Sequence, residues 1–153
     1  MLGRMYEGQD CSIARALEVV GDRWTLLILR DLTFGLKRFD EFQQSLAIAP
    51  NILTDRLKRL DQEGLVERVR YQETPERFEY LPTQKAMELQ PVIFYLAKWG
   101  DRYCPDPLGP PRLSFHANCG GKVNEKLRCG RCKRIVWFDS IYTEANPTHQ
   151  KAK

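Results

Sequence analysis

The 153-residue chain has no apolar run that approaches the length needed to cross a bilayer, so a membrane partner is not expected. Its opening stretch, MLGRMYEGQDCS, lacks the apolar core of a secretion signal, and the expected compartment is the cytoplasm. Histidine is scarce, with two residues. No nucleophile, base and orienting third group stand in a recognisable arrangement, which argues against both a thiol oxidoreductase and a zinc hydrolase. An enzyme is therefore not expected. Strong charge is lacking as well: the net value is +4, with 15 Lys+Arg against 16 Asp+Glu over residues 1–104. The positive excess lies in residues 105–153, with 9 against 4. Any attraction for polyanions is concentrated there. Cysteines are few and odd in number, five, and three of them cluster in the last third. Without a secretion signal, that pattern favours metal binding or redox chemistry over a disulfide framework.

What is present is organised around Ile48 to Leu65, IAPNILTDRLKRLDQEGL. Pro50 suits a first helical position, where its missing N–H would be unpaired anyway. Leu53, Leu57 and Leu60 share one stripe, and Gly64 falls where a left-handed stop is wanted. The other face carries Asn51, Thr54, Asp55, Lys58, Arg59 and Gln62, residues suited to base edges and phosphates. By itself this pattern also fits an ordinary amphipathic helix with a solvated face.

The flanking segments sharpen the reading. Helices are expected over CSIARALEVVG, with Ile13, Ala14, Leu17 and Val20 on one side, and over RWTLLILRDL, with Asp22 as its cap. A third, RFDEFQQSL, places Phe39, Phe42 and Leu46 inward and leads through Ala47–Ala49 into the organising helix. That pair is the helix-turn-helix arrangement, whose second helix enters the major groove. Residues 65–80 then read as two strands around Gln72-Glu73-Thr74-Pro75, a winged-helix hairpin. Arg70 and Arg77 near its tip can reach phosphates, although Glu73, Glu76 and Glu79 dilute a basic wing; a purely structural hairpin is the alternative. Thr83 is expected to cap one long helix to about Tyr103, kinked at Pro91. Its Met87, Val92, Phe94, Tyr95, Leu96 and Trp99 are too many large apolar residues for a small domain alone. A second subunit is the expected partner, with a share from the first helix. Prolines mark a linker over 105–111.

Beyond the linker, His116-x2-Cys119 and Cys129-x2-Cys132 are separated by nine residues, flanked by the strand-like segments 112–115 and 135–138. Two ligand pairs on tight turns suit a closed structural zinc site made of His116, Cys119, Cys129 and Cys132. A module this small needs a metal for most of its stability. A metal-free hairpin with buried thiols, or a redox-active Cys129–Cys132 pair, would be the alternatives. Glu125 is the sole acidic residue between the pairs, which speaks against a catalytic zinc.

From Cys11 to Trp99 the chain resembles the HxlR-type winged-helix regulators, relatives of the MarR-like repressors. The resemblance is carried by Cys11, Gly21-Asp22-Arg23-Trp24-Thr25-Leu26-Leu27-Ile28-Leu29, Arg38-Phe39, Leu53-Thr54-Asp55-Arg56-Leu57, Gly64-Leu65-Val66, Tyr71, Pro75, Glu79-Tyr80 and Trp99. It departs at Ala49, where a capping serine is common, at Pro82 for a leucine, and at Ala86 for a glycine. The zinc-like module is an addition to the core family. The resemblance implies a homodimeric bacterial regulator of nearby promoters. In some members the cysteine at the Cys11 position senses electrophiles, and a small-molecule effector is a further expected partner. A helix start favours the thiolate at Cys11, whereas Asp10 opposes it and a buried apolar role is the alternative.

The expected fold is α+β and mostly helical. A winged helix-turn-helix domain with its dimerisation helix spans 1–104, a zinc-ribbon-like module 112–145 and a flexible tail 146–153. The expected function is sequence-specific binding of double-stranded DNA by a homodimeric repressor. Asn51, Thr54, Asp55, Lys58 and Arg59 would face the major groove, while Arg38, Arg56, Arg70 and Arg77 contact backbone. The rival is a protein-interaction adapter that docks partners on the same surfaces.

Overall fold

The computed structural model describes residue 6, residue 8 and residues 10–150, Gln150 by its backbone alone. The polar lead expected over residues 1–10 and the end of the expected tail, 151–153, fall largely outside the described residues. The chain forms two compact units, one ending at Leu89 and the other beginning at Gln90.

The first unit starts with four helices: α1 (Ser12–Val20), α2 (Thr25–Thr33), α3 (Phe39–Leu46) and α4 (Pro50–Gln62). Each boundary has a local cause. Gly21 closes α1 because any side chain there would run into the Leu17 carbonyl. The Asp22 carboxylate accepts from the Trp24 and Thr25 backbone N–H groups at 2.9 and 3.2 Å, which satisfies free donors at the start of α2. Glu41 reaches back to the Lys37 and Arg38 N–H groups at 2.8 and 2.9 Å and fixes the start of α3. Ala47 adopts φ 48°, turning the chain between α3 and α4. Gly64, at φ 66°, ends α4, and the Leu65 N–H donates to the Leu60 carbonyl at 2.9 Å.

The buried side chains are the expected ones where several helices meet. Ile28, Leu29 and Leu32 of α2, Phe42 of α3, and Leu53, Leu57 and Leu60 of α4 are all buried. On α1 only Ala14 and Val20 are buried, while Ile13 and Leu17 of the predicted stripe are exposed.

The wing follows as β1 (Val66–Gln72) and β2 (Arg77–Pro82), antiparallel from Val66↔Pro82 to Gln72↔Arg77 with a register shift between Arg70 and Gln72. Thr83 then caps α5 (Gln84–Met87), accepting from the Ala86 N–H at 3.4 Å. The single long helix predicted to Tyr103 is instead two, α5 and α6 (Gln90–Tyr103). Pro91 has no N–H for the Met87 carbonyl, so a continuous helix loses that bond. In the first turn of α6 the missing donor costs nothing.

In the second unit, α6 sets Phe94 and Tyr95 edge-on against Phe138, with ring centroids 5.4 and 6.2 Å away. Strands β3 (Arg112–His116) and β4 (Ile141–Ala145) pair antiparallel from Arg112↔Ala145 to His116↔Ile141. The predicted strand over 135–138 is not formed. Ile135 makes one isolated bridge to Arg128, and Phe138–Ser140 is a 3-10 turn that delivers the chain into β4. Pro147–Gln150, expected as tail, form a short helical turn, α7, with the His149 ring 2.8 Å from the Gly109 carbonyl.

Candidate nucleic-acid interface and metal centre

The apolar stripe of α4 is spent on the core, which leaves its other face outward. Asn51, Thr54, Asp55 and Lys58 are exposed on that face. The Thr54 hydroxyl donates to the Pro50 carbonyl at 2.8 Å, and Asp55 lies 3.4 Å from the Arg56 guanidinium. Asn51 and Lys58 hold no side-chain hydrogen bond or ion pair among the described residues.

The two arginines of α4 are engaged elsewhere. The Arg56 Nε lies 3.3 Å from the Asp22 carboxylate, close enough for an ion pair but without the alignment of a hydrogen bond, and its side chain is mostly buried. Arg59 donates to the Glu18 carbonyl in the last turn of α1. Both contacts join α4 to the segments before it, and neither was legible from the helix's own sequence.

Of the other predicted backbone-contacting arginines, Arg38 and Arg70 are also partnered. Glu79 binds Lys37 at 2.9 Å and Arg38 at 3.1 Å. Lys37 first, then Arg38, holds the Glu79 carboxyl below the ordinary carboxylate range against its desolvation, and Glu79 in turn raises Arg38. The Arg38 guanidinium also lies 4.7 Å from the centre of the Tyr71 ring. In the wing, Arg70 pairs with Glu76 at 3.0 Å, both exposed, and Arg77 is exposed.

Cys11 precedes α1 and is exposed. Its thiol is lowered from the ordinary value by the backbone N–H of Ala14 and then of Ile13, the free donors of the helix start.

In the second unit, His116, Cys119, Cys129 and Cys132 bring their ligand atoms within 4.8 Å of one another. Cys119 Sγ lies 3.2 Å from His116 Nδ1 and 3.4 Å from Cys129 Sγ, and Cys132 Sγ lies 3.4 Å from the same ring nitrogen. A tetrahedral zinc with bonds of about 2.0–2.3 Å sets its ligands about 3.5–3.8 Å apart, so the four residues fit the ion with little adjustment. Two knuckle turns build the site. The His116 carbonyl accepts from the Cys119 and Gly120 N–H groups at 3.2 and 2.8 Å, and the Cys129 carbonyl accepts from the Lys133 N–H at 3.0 Å. Gly121 is required by closeness: a Cβ there would meet Cys129 Sγ and come within 2.6 Å of Arg131 Cβ.

The thiols are electrically unequal. The backbone N–H of Cys132, then of Arg131, outweighs burial and lowers Cys129 to about 6. At Cys119 the Gly121 N–H lowers the thiol, but burial and the neighbouring thiols Cys129 and Cys132 outweigh it and raise the thiol. An ion held by all four side chains would have no position left for substrate, as in a structural rather than a catalytic site.

A helix-turn-helix with an outward polar helix, followed at once by a two-stranded wing, defines the class of winged-helix DNA-binding regulators. Residues 19–107 match the HxlR-like helix-turn-helix family. The chain belongs to that family: it is a transcriptional regulator of the helix-turn-helix type, and not an enzyme. A protein of Mycobacterium tuberculosis named an HTH-type transcriptional regulator is 40% identical over 146 residues, 95% of this chain and 91% of the relative. The crystal structure of PA1607, named as a candidate transcription factor, is similar with a TM-score of 0.69 and 34% identity, over 87% of this chain and 93% of that one. The redox regulator HypR in its reduced form is similar over 59% of this chain and 90% of its own, with a TM-score of 0.56 and 30% identity. The first two likenesses extend well past residue 107, into the unit that carries the cysteine cluster.

Proposed function

We propose that the protein is a sequence-specific, homodimeric repressor that reads the major groove with the N-terminal half of α4. The observation that carries this reading is the division of α4, whose leucines are buried while Asn51, Thr54, Asp55 and Lys58 stand outward. Asn51 and Lys58 are the direct readers; Arg56 and Arg59 hold the helix in place, with phosphate contact left to Arg38, Arg70 and Arg77. Repression is the simplest output of a small dimer seated on promoter DNA, and the cytoplasm is its place of action.

Dimerisation is supported by α6. Val92, Leu96, Trp99 and Tyr103 recur on one stripe and are each 51–63% exposed. An apolar stripe of this kind calls for a covering surface. Tyr95, 49% exposed, lies along the same stripe, whereas Phe94, packed on Phe138, is not part of it. In the first unit, Ile13 and Leu17 of α1 are exposed as well.

The cluster of one histidine and three cysteines is proposed to hold one structural zinc. Cys11, exposed and favoured as thiolate, is the proposed sensor of electrophiles or oxidants, a reading in line with the likeness to a redox regulator. The test is DNA binding by the purified dimer to its own upstream region and to scrambled DNA at two salt concentrations, with Lys58→Ala alongside. The expected result is a preference that survives higher salt and an altered preference or shallower salt slope in the variant. Identical affinity, slope and preference in wild type and variant would remove Lys58 from the interface. Loss of all preference would favour the adapter function.

A further inference from the structure

We propose that the loops around the second ligand pair, residues 122–134, form a second DNA-backbone contact surface, separate from α4 and the wing. Lys122, Lys126, Arg128, Arg131, Lys133 and Arg134 stand in this segment with Glu125 as the one acid. That local net of +5 equals the whole positive excess of residues 105–153. A zinc held by three thiolates and a neutral imidazole contributes about −1, so the loaded segment stays near +4.

The fold gathers these cations and leaves them outward. All six are exposed, and none forms an ion pair among the described residues. The Asn124 side chain accepts from the Lys126 and Arg128 N–H groups at 3.0 and 2.9 Å, which tightens the turn that carries both. Gly130 donates to the Lys122 carbonyl at 2.8 Å, Lys133 Nζ reaches the Gly130 carbonyl at 2.7 Å, and Arg128 reaches the Lys133 carbonyl at 3.1 Å. Lys122, Arg128 and Lys133 are thereby neighbours through one short chain of contacts.

An apolar partner is the weaker match. Ile135 and Trp137 are 72% and 75% exposed beside this loop, but two side chains make a small patch against six cations without an ion pair. Of the three arginines assigned to phosphate at and beside the wing, by contrast, Arg70 also pairs with Glu76 and Arg38 with Glu79, which leaves Arg77 as the one without an ion pair among the described residues. Arg131 likewise donates to the Cys119 carbonyl at 2.7 Å, so three of the six bond a carbonyl but none bonds an acid, and the chemistry that recognises a compact group of cations without acidic partners is a line of phosphates.

The proposal rests on the metal-held fold of this unit but does not need the operator preference argued above. The test uses the full-length, metal-loaded protein and two duplexes, its own upstream region and a random sequence of equal length. Affinity is measured by anisotropy across a salt series. In one variant Lys122, Lys126 and Arg134, which make no side-chain hydrogen bond among the described residues, become Gln. In a charge-matched control Arg15, Arg23 and Arg102, which lie outside this loop and outside α4 and the wing, become Gln.

The expected result is a salt slope shallower by about 2–3 on both duplexes, and affinity about 10- to 100-fold lower at about 0.1 M salt, in the loop variant only. An unchanged slope with about one zinc per chain overturns the proposal. Equal losses in loop variant and control also overturn it, since bulk charge would then suffice. Should the triple variant lose its metal, Lys126→Gln alone reads the same slope, with a change of about 0.9 expected and no change refuting. If wild type shows no preference between the duplexes, the α4 reading fails while the slope on random DNA still decides this one.

Discussion

Gly121 shows how much of a metal site can depend on a residue that binds nothing. Its α-carbon lies where any side chain would push on Cys129 Sγ and Arg131. Gly121→Ala is therefore expected to weaken zinc binding about 10- to 100-fold, the range seen when a site's immediate support is disturbed. Gly120→Ala makes the comparison: Gly120 sits at φ 68° in open space, so its replacement strains the backbone by about 1–2 kcal/mol without touching a ligand. Competition with a chromogenic chelator separates the two, with loss of affinity for the first and a lower melting temperature for both. That these four side chains would gather was legible from spacing, because a pair of x2 turns is a local feature. That both arginines of α4 are engaged was not legible. Their engagement depends on Asp22 and on the Glu18 carbonyl, which reach α4 only through the fold.

Between elements, the start of α3 and strand β2 are clamped by one carboxylate. Glu79 binds Lys37 and Arg38, and the backbone repeats the link, with the Tyr80 N–H donating to the Lys37 carbonyl at 2.8 Å. Because the folded state holds Glu79 below the ordinary carboxylate range, its contribution is fully present above the unfolded value of about 4.3 and is lost as pH falls through the folded value. Glu79→Gln should therefore be less stable than wild type to urea near neutral pH, and the two should converge as the pH drops below about 4. A constant gap across that range would show that the carboxylate charge is not what holds the wing. At this scale the sequence was informative wherever periodicity and caps are local, as for α1 to α4 and the wing. It misled for β4. Ile135–Phe138 has the more strand-like composition, but it forms only the isolated Ile135–Arg128 bridge before the 3-10 turn at Phe138, and pairing with β3 falls to Ile141–Ala145.

For the whole molecule, the two units differ in what holds them together. The first has a core contributed by α2, α3 and α4. The second buries Val123, Cys129 and Val136, with Cys119, Cys132 and Ile141 packed against them, so half of that cluster is cysteine. A core this small cannot offset chain entropy, whereas a structural zinc contributes about 10–16 kcal/mol in comparable small folds. Chelation should thus unfold the second unit and spare the first. Hydrogen exchange on chelated protein is expected to show β3 and β4 fully exchanged and the amides of α2 and α4 still protected. Equal protection in both units after complete metal removal would mean that zinc is not the staple.

The wing also has a neck. Val66 faces Pro82, the Thr83 N–H donates to the Leu65 carbonyl at 3.1 Å, and the Thr83 hydroxyl donates to the Gly64 carbonyl at 2.8 Å. Lys85 Nζ closes on the Glu63 carbonyl at 2.6 Å. The chain thus leaves α4 and returns to the same few carbonyls, which makes the hairpin a loop tied shut at its base. Lengthening such a loop costs only about 0.6 kcal/mol per doubling, because the tie and the core beneath it are untouched. The length of the wing is therefore a nearly free variable: a longer or shorter hairpin changes how far it projects, not whether the unit beneath it folds.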